Sequence, residues 1–271
     1  MTEKTHTAAP VGPLLLDVTT DGGEVRVRVD ATATAAHVVI RTADEDGPAA
    51  EAVRGARIIQ DGQRLAVVVP KIEGADGTVT IGNMQFNGGF GGGVHVMQNV
   101  TTVGRGQTMT GVTIVNGQVI GGGMSGGTVV RPVEVLVTLP AGSGVQMKAK
   151  DANLTVTGPL AALAFDGYDG NVRAGLVGRI KAKSYNGDIE ADGVQEFADV
   201  ETYNGDVEIG SYGGGAARLV TYNGDVRLSA SPAAAGELAA RTYNGDVRLR
   251  GTSGRPELNV KAKTTNGRVS K

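Results

Sequence analysis

Apolar and polar residues alternate along most of this chain, in short stretches that recur. Glu24-Val25-Arg26-Val27-Arg28-Val29-Asp30 and His37-Val38-Val39-Ile40-Arg41 place an apolar side chain at nearly every second position, the period of a strand with one buried face. Val133 to Pro140 repeats the pattern. A short helix is expected at Pro48 to Arg54, where the proline opens the first turn without wasting a donor. Ala56 to Gln60 and Arg64 to Val69 flank Asp61-Gly62 and read as a hairpin. Residues 1–12 are polar and aperiodic and are expected to form a disordered tail, followed by a β-strand region over 13–73.

Residues 74–130 break the alternation. Seventeen of these 57 residues are glycine, and only Asp76 and Arg105 carry charge. A long flexible insertion is the main reading, since long loops within compact domains are usually functional or disordered. Extra irregular turns of the architecture described next are the other.

From about residue 145 to the end the chain repeats itself, within a repeat β-solenoid expected over residues 131–271. The clear copies are SYNGDIEA from Ser184, TYNGDVEI from Thr202, TYNGDVRL from Thr221 and again from Thr242, and TTNGRVSK from Thr264. Weaker copies precede them, with Asn153 in KDANLTV and Asp169 in GYDGNVRA at the Asn place. The series 153, 169, 186, 204, 223, 244, 266 has spacings of 16, 17, 18, 19, 21 and 22, a drift that suits a coil of growing circumference. Counting back in twos from each Asn gives small or apolar residues, as in Ala198-Val200-Thr202-Asn204. The alternate positions hold charges such as Lys181, Lys183, Asp199, Glu201, Arg218, Arg241, Lys261 and Lys263. After each glycine the apolar series restarts at Ile189, Val207, Val226, Val247 and Val269.

Strand, Asn-Gly corner, strand and loop, repeated with too few residues for a helix, predict an all-β chain. Its C-terminal half is expected to be a parallel β-solenoid of about seven short coils, capped by the N-terminal β-rich region. Asn186, Asn204, Asn223, Asn244 and Asn266 would then form a ladder of side-chain amides from coil to coil. A run of antiparallel hairpins is the competing fold, because Asn-Gly is also a strong type I′ turn signal.

Composition narrows the function. With 26 basic and 28 acidic residues the net charge is −2, so no basic footprint for nucleic acid exists. The chain has no cysteine, which excludes thiolate chemistry and disulfides. The amino terminus lacks the apolar run of a secretory signal and no stretch of 18 apolar residues occurs, so no transmembrane segment and a cytoplasmic location are expected, with envelope association only through a partner.

The repeated T-x-N-G-D-[VI] units from Ser184 to Asn266, the VEVLVTLPAGSGV lead-in at Val133 to Val145 and the GQRLAVVVPK strand at Gly62 to Lys71 resemble the DUF4097 family. Its members are bacterial proteins, abundant in actinobacteria and other Gram-positive bacteria, that carry an adhesin label. The resemblance covers most of the chain and implies right-handed parallel β-helical repeats. The glycine-rich stretch makes this chain longer between Lys71 and Arg131 than a minimal member, and Arg268 replaces the motif aspartate in the last copy.

Candidate chemistry is sparse. His6, His37 and His95 show no metal or triad spacing. Gly121-x-Gly123-x-x-Gly126 matches a dinucleotide fingerprint but runs into Thr128-Val129-Val130 instead of a helix. No catalytic residue and no cofactor are expected. Asp188, Asp206, Asp225 and Asp246 form a carboxylate row that either caps its own corners as Asx turns or, less simply, holds a cation such as calcium. Tyr168, Tyr185, Tyr203, Tyr222 and Tyr243 form an outward row flanked by Ala152 and Thr265. Those rings either stiffen the sheet by stacking or present a platform for a ligand.

Two functions follow from these features. The first is a non-enzymatic, adhesin-like scaffold that binds a partner protein or an acidic cell-envelope polymer on its Tyr and charged face. The second is a polysaccharide lyase or hydrolase of β-helical build. Self-association through the open edge of the C-terminal coil is a further expectation.

Overall fold

The computed structural model describes residues 1–9, 11–72, 94–97, 108–115, 118–125 and 132–271. In chain order its elements are β1 (Thr2–Thr7), β2 (Leu15–Asp30), β3 (His37–Thr42), α1 (Pro48–Gly55), β4 (Arg57–Asp61), β5 (Arg64–Val68), β6 (Val94–Met97), β7 (Thr108–Val115), β8 (Gln118–Ser125), β9 (Glu134–Pro140) and β10 (Gly144–Thr157). They continue with β11 (Leu160–Asp169), β12 (Val172–Asn186), β13 (Ile189–Asn204), β14 (Val207–Tyr212), β15 (Ala216–Asn223), β16 (Val226–Ala230), β17 (Gly236–Arg241), β18 (Val247–Arg250), β19 (Leu258–Lys263) and β20 (Val269–Ser270).

From β10 to β20 the chain is a parallel β-solenoid of about seven coils. Each coil lays one segment on a first sheet, turns at the corner, and lays the next segment on a second sheet. Leu219 of β15 thus pairs with Val200 of β13 and Ala240 of β17, while beyond the corner Val226 of β16 pairs with Val207 of β14 and Val247 of β18. Every pairing in this stretch is parallel, which removes the hairpin alternative. Inward residues bury completely in columns, such as Ala182, Val200 and Leu219. Each buried Val or Leu contributes about 1.5–3 kcal/mol, and the narrow gap between sheets explains why the inward set is small.

The N-terminal half is woven into this stack as well as capping it. Leu15–Thr19 of β2 lies between β5 and β10, and Glu24–Arg28 of β2 lies between β9 and β10, all in parallel. The coils therefore extend past β10 through strands that are far apart in sequence. Antiparallel strands then close the end: β4 on β5, and β3 on β9 followed by β1 on β3. Helix α1 buries Ala49, Ala50, Ala52 and Val53 beneath β1 and β3.

Three expectations need correction. The tail expected over residues 1–12 contains β1, whose β-branched threonines suit an edge strand and whose Lys4 Nζ donates to the Ala56 carbonyl at 2.6 Å. The weak copy at Asn153 was set two residues out of register. Asp151 pairs with Asp169, and Asn153 sits 18 residues before its counterpart Asn171, so the steady drift in spacing does not extend to the first coil. The third concerns residues 74–130, where β6, β7 and β8 form a separate antiparallel sheet. That sheet is not a continuation of the parallel coils. Residues 73–93, 98–107, 116–117 and 126–131, on which the flexible-insertion reading mainly falls, lie outside the described residues.

Candidate functional site: the corner rows and the groove beside them

Four side-chain rows run along the corner edge of the solenoid, and each arises because equivalent residues recur about 4.8 Å apart. The glycine of each corner has a steric cause: a Cβ on Gly205 or Gly224 would collide with the carbonyl oxygen of Gly187 or Gly205 in the preceding coil. The threonine of the motif answers that same carbonyl. Thr221 Oγ1 donates to Gly205 O and Thr242 Oγ1 to Gly224 O, both at 2.8 Å, so these buried hydroxyls are satisfied. Sequence reading placed the threonines inward but missed this bond. Ser184, in the first clear copy, has no partner for its buried hydroxyl among the described residues.

The amide row is continuous. Asn204 Nδ2 donates to Asn186 Oδ1, Asn223 to Asn204, Asn244 to Asn223 and Asn266 to Asn244, each at 2.7 Å, and Asn186 donates to Asp169 Oδ1 at 2.6 Å.

Next to it runs the Asx row, in which Asn153 and Asn171 precede the four aspartates. Each accepts the backbone N–H of its counterpart in the following coil: Asp188 Oδ1 from Asp206, Asp206 from Asp225, Asp225 from Asp246, all at 2.8 Å, and Asp246 from Arg268 at 2.9 Å. The expected bond within the same corner is replaced by one between coils, because parallel stacking points the next N–H at the carboxylate. Arg227 reaches Asp206 and Asp225 at 3.0 and 2.7 Å, and Arg248 reaches Asp225 and Asp246 at 2.9 and 2.8 Å. Partial burial pushes the Asp225 carboxyl up, but the Asp246 N–H and the two guanidinium groups outweigh it and hold the group below the usual range. Asp206, Asp225 and Asp246 are thus each paired with a guanidinium. Among the described residues no group of three or more His, Asp or Glu is placed to hold a metal ion.

The tyrosine row is a stack. Tyr168, Tyr185, Tyr203, Tyr222 and Tyr243 have successive ring centroids 4.8, 4.9, 4.7 and 4.8 Å apart and planes within 4° of parallel. Their faces cover one another, so a ligand meets a comb of ring edges and hydroxyls instead of a flat aromatic surface. Register corrects one flank. Lys150, not Ala152, precedes Tyr168, while Ala152 is buried opposite Gly23 of β2.

Beside the stack a groove of about 730 Å³ crosses the first sheet from Lys183 to Lys263. Arg218 is held there by Asp199 at 2.9 Å and Glu201 at 3.1 Å, and Lys261 by Glu237 at 2.7 Å. Lys183, Arg241 and Lys263 line the same groove with no ion-pair partner among the described residues. On the opposite sheet Arg173 pairs with Glu190, and Arg227 and Arg248 bind Asp206, Asp225 and Asp246. The groove on the tyrosine side thus keeps three unpaired cations.

The histidines stay apart from this edge: His6 is in β1, His37 Nδ1 lies 3.0 Å from Thr7 Oγ1, and His95 is opposite Ile114 in β6. Gly121 and Gly123 are in β8, after which the next described element is the strand β9, and Gly126 is outside the described residues.

Among solved structures, a candidate adhesin from Bacteroides fragilis aligns over 99% of this chain and 96% of its own, with a TM-score of 0.51 and 12% identity. A candidate lipid-binding protein from Parabacteroides distasonis aligns over 100% and 97% at a TM-score of 0.43 and 11% identity. At these identities the first supports a shared fold alone and the second carries no argument. No curated protein matches the sequence. The profile of the family described as Toastrack DUF4097 matches residues 93–271, more than half of the chain and all of its corner repeats, so the chain belongs to the Toastrack DUF4097 family.

Proposed function

We propose that this chain is a non-enzymatic scaffold whose groove beside the tyrosine stack binds an extended acidic polymer of the cell envelope. The observation that supports this reading is the groove on the tyrosine side, where Lys183, Arg241 and Lys263 have no ion-pair partner among the described residues and phenol hydroxyls form the edge, whereas Arg173, Arg227 and Arg248 on the other sheet are each paired. A polymer lying across successive coils would meet a donor about every 4.8 Å, and each cation would gain a charge-assisted hydrogen bond. The repetition of every feature from coil to coil favours binding over catalysis, which requires a unique constellation. The adhesin description of the Bacteroides fragilis protein fits a binding role. Direct binding of such a polymer needs the chain to reach the envelope, in place of the cytoplasmic residence expected from the sequence; among the described residues no helix is long and apolar enough to cross a membrane.

Calorimetric titration with teichoic acid, poly-glutamate and neutral dextran tests it. Teichoic acid should bind, with affinity falling as salt rises, and the double variant Arg241→Ser/Lys263→Ser should lose most of that affinity while Arg173→Ser on the other sheet retains it. Binding of poly-glutamate alone would assign the groove to an acidic protein partner. Equal binding of dextran, or no effect of the double variant, would overturn the reading.

A further inference from the structure

The amide ladder is built from Asn-Gly steps, the dipeptide in which a glycine nitrogen, unhindered by a side chain, can attack the neighbouring asparagine side chain. Five such steps fall on described residues, at Asn186, Asn204, Asn223, Asn244 and Asn266. Those at Asn87 and Asn116 lie outside them. In four of the five steps the attacking nitrogen is engaged. The N–H groups of Gly187, Gly205, Gly224 and Gly245 donate to the carbonyls of Asn204, Asn223, Asn244 and Asn266 in the following coil, at 2.9, 3.0, 2.9 and 3.0 Å. The side-chain amides of the same four steps are held at both ends, Nδ2 donating to the coil before and Oδ1 accepting from the coil after.

Asn266 is different. Its Nδ2 donates to Asn244 Oδ1 at 2.7 Å, but its Oδ1 has no donor and Gly267 N–H has no acceptor among the described residues, and both residues are exposed. We propose that the ladder deamidates in order from this last coil inward, Asn266 first and Asn244 after it. Gly267 N, losing its proton to solvent base, attacks Asn266 Cγ. The Cγ–Nδ2 bond breaks, Nδ2 leaves as ammonia, and a five-membered succinimide forms. Water then opens that ring to aspartate or isoaspartate, so the net change is one water taken up and one ammonia released. No other reagent is needed.

The order inward follows from hydrogen-bond inventory. The product carboxylate is acceptor-only and faces Asn244 Oδ1, itself an acceptor, so the 2.7 Å contact becomes repulsive. Isoaspartate also lengthens the backbone and shifts Thr264 away from Gly245 O, which it reaches at 2.8 Å. Both changes loosen the single bridge between Asn244 and Asn266 and release Gly245 N–H from Asn266 O. Asn244-Gly245 then stands as Asn266-Gly267 did.

Peptide mapping by mass spectrometry, on the full chain held in warm, mildly alkaline buffer, tests this directly. Asn266 should convert without a lag and on the order of tenfold faster than Asn223, whose exchange requires opening of the stack. Asn244 should follow after a lag, and the variant Asn266→Asp should abolish that lag. Conversion of Asn204 or Asn223 at the rate of Asn266 would overturn the proposal, and an unchanged Asn244 lag in Asn266→Asp would overturn its sequential part. If the variant failed to fold, all the steps would convert together, and the time course of the unaltered chain would still decide the order.

Discussion

At the corner, asparagine, glycine and threonine each meet one demand of stacking: asparagine both donates and accepts along the solenoid, glycine lets the preceding carbonyl approach, and threonine satisfies that carbonyl. Asn204→Ala or Asn223→Ala leaves half-buried partners unmet on two sides and should destabilise by about 1–3 kcal/mol in urea melts. Tyr203→Ala or Tyr222→Ala removes two stacking contacts from rings that are 40% exposed and should cost less, at about 0.5–1 kcal/mol per pair. A reversed order would mean that the stack, not the ladder, secures the corner. The sixth tyrosine, Tyr212, is fully buried away from that row. Burial pushes its hydroxyl up to about 12, and the backbone at Ala216 approaches it without closing a well-formed hydrogen bond. The folded chain thus keeps a proton that the unfolded chain gives up near pH 10, so this contribution to stability is complete below about pH 10 and is lost as pH rises toward 12. Tyr212→Phe should melt at neutral pH no lower than the unaltered chain and show a shallower alkaline loss; the same alkaline slope in both would assign the loss elsewhere.

The element that matters is the coil, because each contacts mainly its two neighbours. Asn223 lies 19 residues after Asn204, so removing Gly205 to Asn223 joins Asn204 to Gly224 and regenerates a corner. That deletion should keep a cooperative thermal transition and a β-type circular dichroism spectrum. Removing half of the same residues should abolish both, since a broken register would put charged residues on the inward face. Equal loss in the two deletions would contradict coil-wise stability. Element-level reading succeeded where the motif is complete, from Ser184 onward, since Thr, Asn and Gly fix the phase together. It failed at Asn153, where two asparagines in adjacent coils, Asn153 and Asn171, belong to the Asx row. Their residue type alone could not separate that row from the amide row two positions earlier.

For the molecule as a whole, the two ends differ. One is covered by β1, β3, β4 and α1. At the other, β19 and β20 have no outer strand among the described residues, Val269 is 42% exposed, and Lys271 Nζ reaches the Val260 carbonyl at 3.4 Å. Lys263, Arg268 and Lys271 give this end a positive cluster beside the Lys261–Glu237 pair, so two such ends should repel each other. Light scattering across a concentration series should therefore report a monomer at low salt and association once salt screens the cluster. Absence of association at both salt levels would show that these side chains protect the edge fully.

The period of the corner, the inward and outward faces and the solenoid class were legible in the residues. A stack of identical coils must place the same donor, acceptor and small side chain at each level, and the covalent sequence therefore repeats them. The pairing of distant strands was not. Alternation in Glu24 to Asp30 identifies a strand and its buried face, but β9 and β10 offer it equally apolar edges, and only the packing of the whole chain seats β2 between them. The charges divide in the same way. Register sets Lys181 beside Asp199 and Lys183 beside Glu201, neighbours whose opposite charges alone would suggest pairs. In the folded chain Arg218, one coil further on, takes both carboxylates, because a guanidinium fork can satisfy two acceptors at once, and Lys183 is left free in the groove.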